Sequence, residues 1–299
     1  MAEGPGRAGF VAVAGRPNVG KSTLVNRLVG SKVSIVTRKP QTTRHRILGI
    51  RTERDRQIIF IDPPGLHLRA GKAMNRLMNR TAVSALHDAD LVLFVCAANR
   101  WTSDDSHALE RAAGAGKPVI AVVNKIDKVH PRSELLRIIA ELAVRHDFVE
   151  TVPVSALRGE NIERLLEVIP PFLPESPLLY PGEMRTDRSE TFRIAELVRE
   201  KLTLCLRQEV PYGLTVEVER FVRDEHGIAV DAVVWVERDS QKGIVVGKGG
   251  ALLKKAGRAA RLELKQEYGV PVHLGLWVKV RENWADSEEQ LRRLGFETE

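Results

Sequence analysis

Cysteine is scarce: Cys96 and Cys205, far apart and each among apolar neighbours, are the two in 299 residues. They read as core thiols, not as a disulfide framework or metal site. Long hydrophobic runs are missing too. The stretch Ala89 to Ala98 is about half the ~20 residues a membrane-crossing helix needs. Met1 to Gly9 is small, polar and glycine-rich, without the apolar centre of a secretory signal, so a cytoplasmic location is expected. What is present is enough apolar side chain, 43%, to bury real cores, which argues against a disordered or fibrous chain and allows about two domains.

The net charge of +7 suggests a polyanionic partner, and its distribution is uneven. Residues 1–180 hold 26 Lys and Arg against 18 Asp and Glu, and residues 181–299 hold 20 against 21. Two clusters stand out. Lys32 to Arg56 has eight cations against two acids, and Lys242 to Lys265 has seven against one.

Short apolar runs at Phe10 to Gly15, Gln57 to Ile61, Leu91 to Ala97, Val119 to Val123 and Thr151 to Val154 read as buried strands. Helical patterns lie at Lys21 to Val29, Ala73 to His87, Ser103 to Ala113, Arg132 to His146 and Asn161 to Ile169. The alternation predicts a mostly parallel sheet wrapped by helices, an α/β domain. Five prolines between Pro170 and Pro181 end the pattern and suggest a linker. Beyond it, helix (Glu190 to Gln208), hairpin (Gly213 to Val222 with Gly227 to Glu237), helix (Gly250 to Glu267) and strand (Pro271 to Arg281) make a smaller α+β domain. The expected limits are a disordered 1–9, a first domain 10–172, a linker 173–189, a second domain 190–282 and a tail 283–299.

Gly15, Arg16, Pro17, Asn18, Val19, Gly20, Lys21 and Ser22 fit G-x-x-x-x-G-K-[ST], followed by Thr23, between a strand and a helix. Glycines let amides curl round phosphates, the helix N-terminus favours anions, Lys21 reaches the β and γ oxygens, and Ser22 takes Mg²⁺. Asp62, Pro63, Pro64 and Gly65 follow the next strand, offering a carboxylate to the Mg²⁺ shell. Both prolines lack an N–H, so Gly65 carries the first amide after Asp62 able to meet a γ-phosphate. Asn124, Lys125, Ile126 and Asp127, with Ser155 and Ala156 ending the last strand, read the base. A carboxylate accepting two N–H groups selects guanine, because adenine would leave it unpaired. Each motif alone could be an ordinary turn; their order on successive strands argues otherwise.

Residues 10 to about 170 resemble the translation-factor-related P-loop GTPases. The resemblance implies a first switch over Val33 to Ile47, with Thr43 closing on Mg²⁺ and Thr42 as the competing choice. It implies a second switch over Gly65 to Asn75. Ras-like enzymes place a water-orienting glutamine where this chain has Leu66, so slow intrinsic hydrolysis is expected. Asn18 resembles an asparagine that recruits K⁺ beside the phosphates in some members, and Lys21, Thr43, Gly65 and Asn18 are then the catalytic set. Asn18 could equally serve to shape the turn.

In the second half, Ile244, Val245, Val246, Gly247, Lys248, Gly249 and Gly250 lead into a helical stretch bearing Lys254, Lys255, Arg258, Arg261 and Lys265. A G-x-x-G turn lets backbone approach sugar and phosphate, Lys248 neutralises charge, and Ile244, Val245 and Leu252 can line a groove. The competing reading is the wet face of an amphipathic helix. The element order resembles a KH domain of the type ending in a strand (type II), which implies binding of about four nucleotides of single-stranded RNA. Tyr268, Trp277 and Trp284 are candidates for stacking, although Trp277 alternates with apolar neighbours and is expected in the core.

The pair of domains is similar to a family of bacterial GTPases with a C-terminal KH domain. Supporting residues are Gln41 to Arg46, Asn99 to Trp101 and His273 to Val280; Pro63 departs from the family's threonine. The resemblance implies an assembly factor for the small (30S) ribosomal subunit that binds the 3′ end of 16S rRNA. It also implies GTP or GDP with Mg²⁺ as ligands, a monomer, and loose peripheral association with the inner membrane. The rival is an RNA-binding chaperone module for which nucleotide is mainly a structural ligand. An RNA-modifying enzyme has no support, since His45, His67 and His87 are scattered and no metal-ligand or cofactor pattern lies elsewhere.

Overall fold

The computed structural model describes residues 6–65, 72–206 and 210–296. The chain divides into two compact units, residues 1–70 with 75–187, and residues 71–74 with 188–299.

In chain order the first unit runs β1 (Arg7–Ala14), α1 (Lys21–Val29), β2 (Ile47–Glu53), β3 (Arg56–Asp62), α2 (Ala73–His87), β4 (Leu91–Ala97), α3 (Ser103–Gly114), β5 (Val119–Asn124), α4 (Glu134–Ala143), β6 (Glu150–Pro153) and α5 (Ile162–Val168). The six strands form one sheet in the order β2-β3-β1-β4-β5-β6. All neighbouring pairs are parallel except β2 with β3. The near-continuous apolar sequences of β4 and β5 are buried along their whole length, as central strands covered on both faces must be. One core packs Val11, Phe60 and Leu93 with Leu24 and Leu28 of α1 and Leu165 of α5. The other packs Phe94 and Val123 with Leu109 of α3 and Leu142 of α4. Burying each such side chain contributes about 1.5–3 kcal/mol, and together they fix the strand ends from which the loops spring.

Several expectations need correction. Strand β1 begins at Arg7, so residues 7–9 are ordered rather than part of a loose terminus; Met1 to Pro5 lie outside the described residues. β2, whose polar half hid its alternation, was not anticipated. The proline-rich segment 173–187 is a strap laid on the first sheet. Arg7 Nη1 donates to Leu173 O at 2.7 Å, and Ile50 N donates to Arg185 O at 2.8 Å. The fully buried Gln57 amide donates to Tyr180 O and accepts from Leu179 N and Tyr180 N.

The second unit runs α6 (Glu190–Cys205), β7 (Leu214–Asp224), β8 (Gly227–Val236), α7 (Asp239–Val246), α8 (Ala251–Tyr268), β9 (Val272–Val280) and α9 (Glu288–Arg293). β7 and β8 are antiparallel, and β9 adds parallel to β8. The order is therefore αββααβ, with α9 added at the end. The helix α7, read as loop because Gly243 and β-branched residues crowd it, forms where Val245 packs into the core. Residues 283–296 of the expected tail pack onto the second unit: Trp284 is wholly buried, donates Nε1–H to Gly213 O at 3.2 Å and packs near Phe296. That removes Trp284 as a stacking residue. Trp277 is the opposite case, half-exposed and lying across Gly275 on the face of β9 away from the core. Tyr268 is partly buried under Arg223. Among the described residues no helix is long and apolar enough to cross a membrane.

Replacing Trp284 with alanine should cost about 3–5 kcal/mol in the second unit, because a large side chain and its hydrogen bond leave together; urea denaturation followed by fluorescence measures it.

Candidate functional site

Four loops at the carboxyl ends of β1, β3, β5 and β6 line up along one edge of the first sheet, where parallel α/β sheets place their ligands. The turn Gly15 to Ser22 is forced by its surroundings. Gly15 has φ of 146°, and a Cβ there would stand 2.3 Å from Val95 O; Gly20 has φ of 106°, and a Cβ would stand 2.5 Å from Asn124 Nδ2. Only glycine tolerates both the angles and the approach. Asn18, exposed at the rim, takes the left-handed conformation at φ of 63°.

Lys21 is buried at the start of α1 and donates to Gly15 O at 2.9 Å and Arg16 O at 3.1 Å. Burial lowers its pKa to about 8; the Asp62 charge opposes that shift and Arg16 adds to it. Asp62 is fully buried at the end of β3, and among the described residues neither carboxylate oxygen makes a well-formed hydrogen bond. Burial raises its pKa, while Lys21 and the nearby Ser22, Ser34 and Thr43 hydroxyls favour its charged form. Ser22 Oγ and Thr43 Oγ1 are 2.9 Å apart. Thr42 points elsewhere, to Thr37 and Lys39 O, so the geometry favours Thr43 over its neighbour. Gly65 lies beside Pro17 and Lys21, and a Cβ on it would stand 3.7 Å from Lys21 Nζ. Pro63 and Pro64 are buried beneath. A cleft opens here, lined by Lys21, Ser22, Thr23, Thr37, Thr43 and Gly65 among others. Leu66, and residues 66–71 of the expected second switch, lie outside the described residues; 73–75 belong to α2.

The base-reading loop is tied to the phosphate turn. Asn124 Nδ2 donates to Val19 O at 2.8 Å, and its Oδ1 accepts from Lys125 N and Ala156 N. Lys125, in the left-handed region, donates to Asn18 O at 2.5 Å. Ile126 is buried as an anchor. Ser155 Oγ donates to Asp127 Oδ1 at 2.6 Å and holds that carboxyl below its usual pKa, ready to accept hydrogen bonds as an anion. Three supports escaped the sequence reading. Asn26 accepts from Val33 N and Ser34 N, fixing the start of the first-switch segment; Arg27 donates to Ala156 O and Leu157 O; Arg16 pairs with Asp105. A polar Asn26 amid the apolar stripe of α1 was the signal for the first.

In the second unit Gly247, Gly249 and Gly250 all have positive φ, making the G-x-x-G turn between α7 and α8. Lys248, Lys254, Lys255 and Arg258 are exposed, and among the described residues no ion pair engages them. Ile244 is half-exposed beside the turn, and Leu252 is partly buried. Val245 is wholly buried and so cannot line a groove, a correction to its place among the RNA contacts.

Residues 10–125 match the family model described as 50S ribosome-binding GTPase, and residues 209–285 match that of the KH domain. GTPase Era of Coxiella burnetii (strain Dugway 5J108-111) is 47% identical over 293 residues, 98% of this chain and 99% of that protein. The chain belongs to the GTPase Era family. GTPase Era of Vibrio parahaemolyticus is likewise 47% identical, over 96% of this chain and 91% of that one. A crystal structure of Era in complex with MgGDPNP and nucleotides 1506–1542 of 16S ribosomal RNA is similar with a TM-score of 0.93 and 38% identity, covering 98% of this chain and 99% of that chain. An Aquifex aeolicus Era variant bound to GDP and AlF4⁻ gives the same TM-score and identity over 98% and 100%.

The lowered Lys21 pKa has a pH signature. Between pH 8 and about 10.5 the unfolded chain holds a proton at this lysine that the folded, ligand-free chain has lost, so this group adds stability as pH rises through that window. The stability of the wild-type chain relative to Lys21→Met should therefore increase from pH 8 to 10, as read by paired thermal melts.

Proposed function

We propose that this chain is a slow GTP-hydrolysing switch that binds the 3′ end of 16S rRNA through its KH domain and assists 30S subunit assembly. The observation that carries the reading is Asp62: a buried carboxylate that makes no well-formed hydrogen bond among the described residues, with the Ser22–Thr43 hydroxyl pair and Lys21 close by at a helix start. A buried, unpaired carboxylate is costly unless a cation meets it, and hard oxygen donors suit Mg²⁺. Asp62, Ser22 and Thr43 would hold that ion; bound there, Mg²⁺ neutralises charge on the transferring phosphoryl group. Lys21 leaves its two carbonyls for the β and γ oxygens, and the Gly65 amide meets the γ-phosphate. Asp127, kept anionic by Ser155, takes the two guanine N–H donors, and Ala156 closes the base pocket.

The family model that names the 50S subunit matches only residues 10–125, whereas the relative solved with 16S RNA aligns with nearly the whole chain. The small subunit is therefore the better-supported target. Lys248, Gly247, Gly249 and Gly250 meet the RNA backbone, Ile244 the bases, and Lys254, Lys255 and Arg258 the phosphates. A cytoplasmic location with peripheral contact at the inner membrane through basic surface belongs to the same proposal.

Substituting Lys248→Asp together with Gly249→Asp should abolish binding of a 16S 3′-end oligonucleotide in fluorescence anisotropy while GDP affinity stays within about twofold. Wild-type RNA affinity should be higher with a non-hydrolysable GTP analogue than with GDP; equal values reject the switch. Asn18, at the rim of the turn, is proposed to hold K⁺ in the role of an arginine finger. Phosphate release should then fall by at least about tenfold when Na⁺ replaces K⁺ and become indifferent to the cation in Asn18→Ala.

A further inference from the structure

The phosphate turn is gripped from a direction that none of its motifs supplies. Asp105, the third residue of α3, is wholly buried, and its Oδ2 accepts from Arg16 Nε at 2.8 Å, from Thr102 N at 2.9 Å and from Thr102 Oγ1 at 2.8 Å. Its Oδ1 is buried with no hydrogen-bond partner among the described residues. One carboxylate oxygen thus ties the first residue after Gly15 to the start of a helix on the neighbouring strand's crossover. The carbonyl of that same Arg16 accepts from Lys21 Nζ, and the Arg16 guanidinium reaches Pro17 O at 3.4 Å.

We infer that Asp105 is a positioning residue for the nucleotide reaction: by clamping Arg16, it sets the peptide planes of Arg16 and Pro17 and, through the Arg16 carbonyl, the parking place of Lys21. The inference rests on the proposed nucleotide reading of the turn. A planar peptide transmits the constraint: the bond after Arg16 carries no N–H because Pro17 follows, but holding Pro17 O fixes the opposing N–H of Asn18. Asn124 and Lys125 hold Val19 O and Asn18 O from the base side, and Asp105 completes the grip on the other flank. A guanidinium only about one-fifth exposed and paired with a buried carboxylate is a stiff, charge-assisted link. Removing one partner strands the other's charge, whereas replacing both with amides restores neutrality.

The test uses the full-length chain and stopped-flow release of a fluorescent GDP analogue. Asp105→Asn and Arg16→Gln should each speed release at least about tenfold, and the Asp105→Asn/Arg16→Gln double variant should return to within about threefold of wild type. Thr102→Val, which loosens the same helix end without touching Arg16, should lower the melting temperature and leave release unchanged. Should Asp105→Asn not fold, Arg16→Gln alone carries the measurement. Release within twofold of wild type in the single variants, no recovery in the double variant, or equal acceleration by Thr102→Val would overturn the assignment. A wild-type chain that bound no GDP analogue would instead overturn the nucleotide reading, and the positioning role with it.

Discussion

The eight-residue turn after β1 can cradle an anion because its own carbonyls are taken. Lys125 holds that of Asn18 and Asn124 that of Val19, while Lys21 holds those of Gly15 and Arg16 only until a phosphate draws it away. Main-chain oxygens held this way cannot swing into the cleft and repel a phosphate, and the amides alternating with them are left toward it. The two glycines are forced by this arrangement, since any Cβ would strike Val95 O or the Asn124 amide that supplies the grip. Sheet register matters for the same reason: β1 pairs in parallel with β3 and β4, β4 with β5 and β5 with β6, so the carboxyl ends of β1, β3, β5 and β6 deliver the four loops to one edge.

Charge arrangement within the cleft is frustrated without a ligand. A lysine with its pKa pulled down to about 8 sits near an aspartate pushed up by burial. Both shifts are those of groups waiting for counter-charges. Under the proposed function a magnesium nucleotide would supply both, a cation for Asp62 and an anion for Lys21. Binding would then relieve two desolvation costs at once in an open, polar cleft that buries little apolar area.

Much of this was legible in the chain itself because the constraints are local. Gly15 to Ser22 needs a strand before and a helix after, and apolar runs reveal both. Asn124 to Asp127 and Ser155 sit at strand ends that the same runs mark. What escaped depended on distant packing. Helix α7 exists because Val245 finds a core that no local pattern announces. Trp277 and Trp284 exchanged roles: strand alternation placed the first inward by its apolar neighbours, yet it lies on the outer face over Gly275, while the second anchors a segment read as tail. Asp105 belongs to no motif in the sequence, and only the fold brings Arg16 to it.

The proline-rich strap has a colloidal consequence. β2 is the outermost strand of the six-stranded sheet, and an unprotected outer strand is a template on which a second molecule can zip. By engaging Ile50 N–H with Arg185 O and filling the flank through the Gln57 amide, residues 173–187 shield part of that rim with chain rich in prolines, which have no N–H to extend a ladder. The segment that looks like mere spacing thereby leaves less open strand edge on which a second molecule could add a strand.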